Sequence, residues 1–128
     1  SYSGLWGQHC LSLEEFVPHA AKLGYAGVML MTKRPHLSPL DYDESRLARL
    51  VDLLQEHNLS VDCLAGYSDP GAGWSATSGP FAPLEETQLV AIDRWLQFSK
   101  QLGCPLLRLM TGPAASDEPY TKQWNRAV

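Results

Sequence analysis

Apolar residues follow two rhythms along this chain, and the switches between them mark its elements. From Leu11 to Leu23 they recur at i, i+3 and i+4 as Leu13, Phe16, Val17, Ala20, Ala21 and Leu23, the stripe of an amphipathic helix. Ser12 with Glu15 is a capping-box signature at its start, and Gly24 suits the left-handed turn at its end. Pro18 conflicts with a regular helix. An interior proline removes a backbone hydrogen bond and costs about 3 kcal/mol in an unkinked helix, so the sequence predicts a kink there or a helix that starts later. Tyr25 to Met31 is a short continuous apolar run, as in a buried strand. Thr32 to Tyr42, with Pro35 and Pro39, reads as a loop. Asp43 caps a second helix to about His57, with the stripe Leu47, Leu50, Val51 and Leu54, and Asn58 ends it.

The rhythm then returns. Ser60 to Ala65 reads as a strand ending at Gly66. Ser68 to Pro83 is a long Gly-, Ser- and Pro-rich loop of the kind that serves as a lid or mobile segment. Leu84 to Leu102 is a third helix with Leu89, Ile92, Leu96 and Leu102 on its stripe, stopped by Gly103. Pro105 to Met110 is another strand, and Pro119 after Asp117-Glu118 opens a last helix. Tyr2 to Gly7 is a weak strand signal before all of these. The order is β-α-β-α-β-α-β-(α), and strict alternation implies parallel strands with right-handed crossovers. The phrases "LGYAGVML", "HNLSVDCL" and "LGCPLLRL" repeat a helix end, a turn and a strand. Pattern alone leaves two architectures open: an open doubly wound sheet, or about four βα units of a (β/α)8 barrel, whose full length is about 200 to 400 residues. No Gly-rich phosphate loop follows the first strand, which weighs against a nucleotide-binding open sheet.

Composition narrows the function. The chain has 128 residues and a net charge of −4. Its basic residues are scattered, with Lys33-Arg34 the sole adjacent pair, which disfavours a phosphate-backbone binder. No apolar run reaches the roughly 20 residues of a membrane span, and no secretory signal is recognisable. Cys10, Cys63 and Cys104 are odd in number and widely spaced, as in a reduced, cytoplasmic protein rather than a disulfide scaffold or a cysteine zinc site. The chain opens at Ser1 rather than Met, so a few leading residues are expected before it.

Three segments carry a resemblance to the sugar phosphate isomerase/epimerase superfamily, the xylose isomerase-like barrels related to endonuclease IV. "LEEFVPHAAKLGYAGVML" resembles their first helix and second strand. "MTKRPHLSPLDYDESRLARLVDLLQEHNLSVDCLAGY" is similar to a subgroup with a K-R-P-H-L-S-P loop after strand two and L-A-G-Y at the end of strand three. "LGCPLLRLMTG" is similar to the fourth strand. The Lys33 to Pro39 loop is the most specific part. The resemblance implies that residues 1–128 are the N-terminal half of a TIM barrel, with strands one to four and the start of the fourth helix. It also implies a divalent metal ion (Mn, Mg, Co or Zn) that polarises a carbonyl, carboxylates that move a proton beside it, and a sugar or polyol substrate. The family's metal ligands are mainly Glu, Asp and His on later strands, so none is assigned within this chain and the catalytic residues are expected beyond residue 128. Where many relatives carry an acid near the end of strand two, this chain has Met29, which neither ligates a hard cation well nor carries a proton.

In such barrels the active face lies at the C-terminal ends of the strands. That rule selects Trp6, Lys33, Arg34, His36, Tyr67 and Arg108 as candidate substrate-binding residues. Trp6 could stack on a sugar face, or simply line the barrel. Lys33 and Arg34 could clamp a phosphate or carboxylate, or be solvated loop charges. His36 could bond a sugar hydroxyl and Tyr67 could donate a hydrogen bond, each against a structural alternative. Arg108, within a strand, must be paired if it is buried. Gln8, His9, Asp69, Trp74, Thr111 and Gly112 lie at the same strand ends, with turn or loop roles as alternatives. Asp93 and Arg94 read as the solvated face of helix three, and Met29 and Met31 as core. The resulting expectation is part of a metal-dependent sugar or sugar phosphate isomerase/epimerase, with a homo-oligomer as an option and no nucleic-acid or membrane partner. The competitors are a non-catalytic half-barrel that binds or assembles through unpaired strand edges, and a repair endonuclease, which would need more histidines and a basic groove.

Overall fold

A computed structural model describes residues 11–68, 84–110, 116 and 118–127. The predicted strand Tyr2–Gly7 and the 69–83 part of the long loop lie outside them. The observed elements are α1 (Leu13–Lys22), β1 (Gly27–Met31), α2 (Glu44–Glu56), β2 (Ser60–Ala65), α3 (Leu84–Gln101), β3 (Leu107–Arg108) and α4 (Tyr120–Ala127).

Local chemistry sets most of the helix ends. The Ser12 hydroxyl accepts from the Glu15 N–H and the Glu15 carboxylate from the Ser12 N–H, so the capping box is closed in both directions. Asp43 caps α2 by accepting from the Arg46 N–H at 2.7 Å. Gly24, Asn58 and Gly103 follow α1, α2 and α3 with positive φ. Pro18 sits inside α1, and the helix nonetheless begins at Leu13, directly after its cap. The later start is not adopted: the box satisfies the first-turn donors, and Leu13, Phe16, Val17 and Ala20 are all buried on the core side.

The three strands form one parallel sheet in the order β1-β2-β3. Their register places Met31 beside Ala65 and Ala65 beside Arg108. A bulge between Val28 and Met29 shifts the β1–β2 pairing, and the Asp62 carboxylate fills the space where Gly27 has no Cβ. Val28, Leu30, Val61, Leu64 and Leu107 point to one face and share a single core with Leu13, Phe16 and Val17 of α1, Leu47, Leu50 and Leu54 of α2, and Trp95 and Phe98 of α3. Each fully buried side chain of this size contributes about 1.5–3 kcal/mol. Met29, Met31, Cys63, Ala65 and Arg108 alternate onto the other face.

This arrangement decides between the two architectures. Sequential strand order with all three of these helices on one sheet face is singly wound, whereas an open doubly wound sheet reverses its order and carries helices on both faces. The fold is a segment of a (β/α)8 barrel.

Two helix faces differ from expectation. α3 buries Trp95 and Phe98, with Ala91, Ile92 and Leu102 packed beside them, while Leu89 and Leu96 are 59% and 52% exposed. At 100° per residue those two leucines lie about 100–120° round from Trp95, on the flank of the helix. Arg94 is not a freely solvated charge: it donates to the Tyr42 carbonyl at 3.1 Å and lies over the Phe98 ring. The last strand is also shorter than its apolar run, since only Leu107 and Arg108 complete the ladder with β2.

Candidate functional site

The loop after β1 is a packed structure rather than a solvated excursion. Leu37 donates its N–H back to the Met31 carbonyl and is fully buried, and Tyr42 is buried at the loop's far end. Lys33 to His36 forms a turn closed by the His36 N–H on the Lys33 carbonyl, with a cis Arg34–Pro35 peptide. Thr32 anchors the turn to the neighbouring strand, because its N–H and its hydroxyl both donate to the Ala65 carbonyl, at 3.1 and 2.9 Å.

The turn sends its charged and polar side chains in different directions. Lys33 reaches along the strand ends until its Nζ lies 4.0 Å from the centre of the Tyr67 ring. Arg34 turns outward and grips the Asp41 carboxylate with two bonds of 2.6 Å. This fork holds the Asp41 carboxyl below the usual range and is itself largely exposed. His36 points into the protein, 1% exposed, with its ring 5.4 Å from that of Phe16. Burial holds His36 below the ordinary histidine pKa, so the ring is neutral at pH 7. The Leu11 backbone opposes part of the shift, but neither ring nitrogen gains a hydrogen-bond partner among the described residues.

The ends of β2 and β3 are tied together just above the ladder. The Gly66 N–H donates to the Arg108 carbonyl at 2.7 Å. The buried Ser68 hydroxyl donates to the Met110 carbonyl at 2.7 Å and accepts from the Met110 N–H at 3.0 Å. A Cβ on Gly66 would stand 2.8 Å from the Arg108 carbonyl oxygen and 3.0 Å from Trp95 and Leu109, so the close approach of these strands requires glycine. Arg108 itself is exposed and has no ion-pair partner among the described residues, so the buried-and-paired alternative does not apply there.

Lys33 and Tyr67 thus meet at the C-terminal ends of β1 and β2, with Arg108 on the adjoining strand, whereas His36 is buried against Phe16. Arg34 stands apart with Asp41. Trp6, Gln8, His9, Asp69, Trp74, Thr111 and Gly112 lie outside the described residues. Sequence reasoning missed Thr32 and Ser68. A hydroxyl just past the end of a strand was their signal, but loops are full of such residues and their partners are remote in sequence.

A divalent cation does not fit the described residues. Among them no group of three or more His, Cys, Asp or Glu stands close enough to hold a metal ion. The barrel-side positions Met29, Met31, Cys63 and Ala65 offer no hard oxygen donor.

The singly wound half-sheet with a polar cluster at its C-terminal end defines a TIM-barrel protein. The chain belongs to the xylose isomerase-like TIM barrel family, whose profile matches residues 17–128. Among solved structures it is similar to the crystal structure of an AP endonuclease, family 2, from Brucella melitensis, with a TM-score of 0.58 and 20% identity over 91% of this chain. The chain spans 41% of that structure's length, about two fifths. No curated protein matches the sequence. None of the described helices is long and apolar enough to cross a membrane.

Proposed function

We propose that this chain is the substrate-binding half of a sugar or sugar phosphate isomerase/epimerase, which transfers a proton next to a carbonyl. Membership of the xylose isomerase-like family supports the reading. The observation that carries it is the meeting of Lys33 and Tyr67 at the C-terminal ends of adjacent strands, where TIM barrels hold their active sites.

In this reading Lys33 and Tyr67 present a cation and a phenol to substrate oxygens. His36, neutral and with no side-chain hydrogen-bond partner among the described residues, supplies a hydrogen bond to a hydroxyl when the loop admits one. Trp6 stacks on the sugar, Arg34 holds the loop in shape through Asp41, and Arg108 reaches the substrate from β3. The groups that move the proton, and the ligands of the divalent metal the family resemblance implies, come from outside residues 1–128. The net charge of −4 favours a small-molecule substrate over DNA.

The test uses the intact polypeptide that contains this segment. It is incubated in D2O with a panel of ketoses, aldoses and their phosphate esters, with and without Mn2+. Deuterium entering the carbon beside the carbonyl, seen by NMR, is the expected result. A panel in which no substrate exchanges rejects the reading.

A second reading, a half-barrel that works by assembly, is favoured by one observation. Leu106, Leu109 and Met110 flank β3 and are 61%, 47% and 43% exposed, beside a strand edge with no partner among the described residues.

A further inference from the structure

Three arginines from three parts of the chain converge on Asp41 and Tyr42, at the far end of the loop after β1. Arg34, from the loop itself, grips the Asp41 carboxylate with two bonds of 2.6 Å. Arg46 of α2 donates to the Asp41 carbonyl at 3.2 Å and lies 4.3 Å from the centre of the Tyr42 ring, with the Glu14 carboxylate of α1 3.4 Å from its other arm. Arg94 of α3 donates to the Tyr42 carbonyl at 3.1 Å, across 52 residues of chain. The direction of Arg94 is itself set. Its guanidinium lies 4.8 Å from the centre of the Phe98 ring, and its second arm donates to the Gln97 side chain at 2.8 Å. Gln97 donates in turn to the Asp93 carboxylate at 2.8 Å. A planar guanidinium held in this way keeps its remaining donors aimed.

These contacts lead to the strand ends. Thr32 is bonded to the Ala65 carbonyl and Leu37 to the Met31 carbonyl, so both sides of the turn are tied to the sheet. Lys33 and Arg34 stand between those ties, and the Arg34–Asp41 fork joins them to the far end of the loop. The fork holds the turn only as firmly as Asp41 is held. The main chain of Asp41 and Tyr42 is in turn fixed from α2 by Arg46 and from α3 by Arg94. Arg46 divides its donors and ring face among Asp41, Glu14 and Tyr42, whereas Arg94 links the loop to a helix two βα units away. We infer that Arg94 is a positioning residue for the strand-end site: acting from α3 through Tyr42, Asp41 and Arg34, it fixes where the Lys33 ammonium stands against the Tyr67 ring. The placement of Lys33 follows from these contacts alone, whereas any effect on turnover rests on the isomerase/epimerase reading.

Two measurements on the intact polypeptide test it. The first is NMR of protein carrying 13C-labelled lysine, with the Lys33 signal assigned by its loss in Lys33→Arg. Protons on the carbon beside the Lys33 ammonium, held over the Tyr67 ring face, are expected upfield of the other lysines, and Tyr67→Leu supplies their position without the ring. Arg94→Met should move the Lys33 signal toward that position. Arg49→Met, which removes an exposed α2 arginine bonded to the Ser45 hydroxyl, should leave it in place. A Lys33 signal unmoved in Arg94→Met, or moved equally in Arg49→Met, overturns the inference. Should Arg94→Met fail to fold, Gln97→Ala decides: it trims an exposed side chain and frees Arg94 from the group that sets its direction, so the signal should move part of the way, and no movement overturns the inference. The second measurement compares kcat/KM for Arg94→Met, Lys33→Met and the double variant. Misplacement of a binding group is expected to lower kcat/KM by roughly ten- to a hundredfold. Because Arg94 acts through Lys33, the double variant should be no worse than Lys33→Met alone. Losses that multiply would show that Arg94 acts by another route and overturn the inference. A Lys33 signal that depends on Arg94, with no turnover of any sugar, supports the positioning role and removes the isomerase reading.

Discussion

The ammonium of Lys33 lies 4.0 Å from the centre of the Tyr67 ring, joining the loop after β1 to the end of β2. A half-buried cation–π contact of this kind is worth about 0.5–1 kcal/mol. Tyr67→Phe keeps the ring and should leave stability in urea within about 0.5 kcal/mol of wild type, whereas Tyr67→Ala should lose the contact and its packing. If the phenol also binds substrate, Tyr67→Phe raises KM while the unfolding midpoint stays in place. A midpoint that drops equally for both variants would show that the hydroxyl, not the ring, carries the interaction.

His36 gives the protein a pH dependence of known sign. Its pKa in the folded state lies below the unfolded value of about 6.5, so the unfolded chain takes up a proton first as the pH falls. The associated stability is complete above about pH 6.5 and declines below it. His36→Leu removes the titration and two ring nitrogens that have no hydrogen-bond partner among the described residues. Melting temperatures measured from pH 8 to 5 should therefore fall less for His36→Leu than for wild type. At pH 7 the variant should equal or exceed the wild type in stability. Loss of kcat/KM alongside that gain would mark a buried polar group retained for binding rather than for folding.

The carboxylates titrate lower. Asp41, held down by the Arg34 fork, and Asp43, held down by the Arg46 N–H, both lie below the usual carboxylate range. Their contribution is present above about pH 4 and lost as the pH falls through their folded-state values. Arg34→Met should flatten the acid limb of the stability profile, measured by urea unfolding between pH 5 and 3, while leaving the His36 limb between pH 6.5 and 5 unchanged.

Two glycine substitutions should separate backbone from side-chain crowding. In Gly66→Ala the new methyl meets the Arg108 carbonyl oxygen of the neighbouring strand and the buried Trp95 ring, neither of which can swing aside. Overpacking of that kind costs about 1–3 kcal/mol. In Gly27→Ala the obstacle is the carboxylate of exposed Asp62, which can rotate into solvent. Chemical denaturation should rank Gly66→Ala well below Gly27→Ala. Equal costs would mean that Asp62 is held at the bulge more firmly than its exposure suggests.

Ser68→Ala tests the tie between β2 and β3. The hydroxyl serves both the N–H and the carbonyl of Met110, and deleting it strands two partners at a site that is 4% exposed. A loss of about 1–3 kcal/mol is expected. Hydrogen exchange at the Met110 amide should speed up in Ser68→Ala more than in Thr32→Val, where the Ala65 carbonyl still accepts the Thr32 N–H.

What was legible in the sequence is what depends on neighbours three or four residues apart. The Ser12–Glu15 box, the Asp43 cap, the stops at Gly24, Asn58 and Gly103, and the span of β2 follow from side chains that meet their own local backbone. The barrel family was also legible, from the Lys33–Pro39 loop, which the structure anchors by burying Leu37 and His36. Tertiary structure decided the rest. Periodicity cannot say on which side of a sheet a helix will lie, so the single-faced core that rules out an open sheet appears only once the strands pair in order. Periodicity also named the stripe Leu89, Ile92, Leu96 and Leu102 on α3, whereas the face that packs is centred on Trp95 and Phe98 with Ile92 and Leu102 beside them, and Leu89 and Leu96 are left exposed. The candidate site divided in the same way. Strand ends named Lys33, Arg34, Tyr67 and Arg108, but only their packing sent Lys33 to Tyr67 and Arg34 to Asp41 and left Arg108 exposed, because a charged side chain finds its partner across space and leaves no period in the sequence.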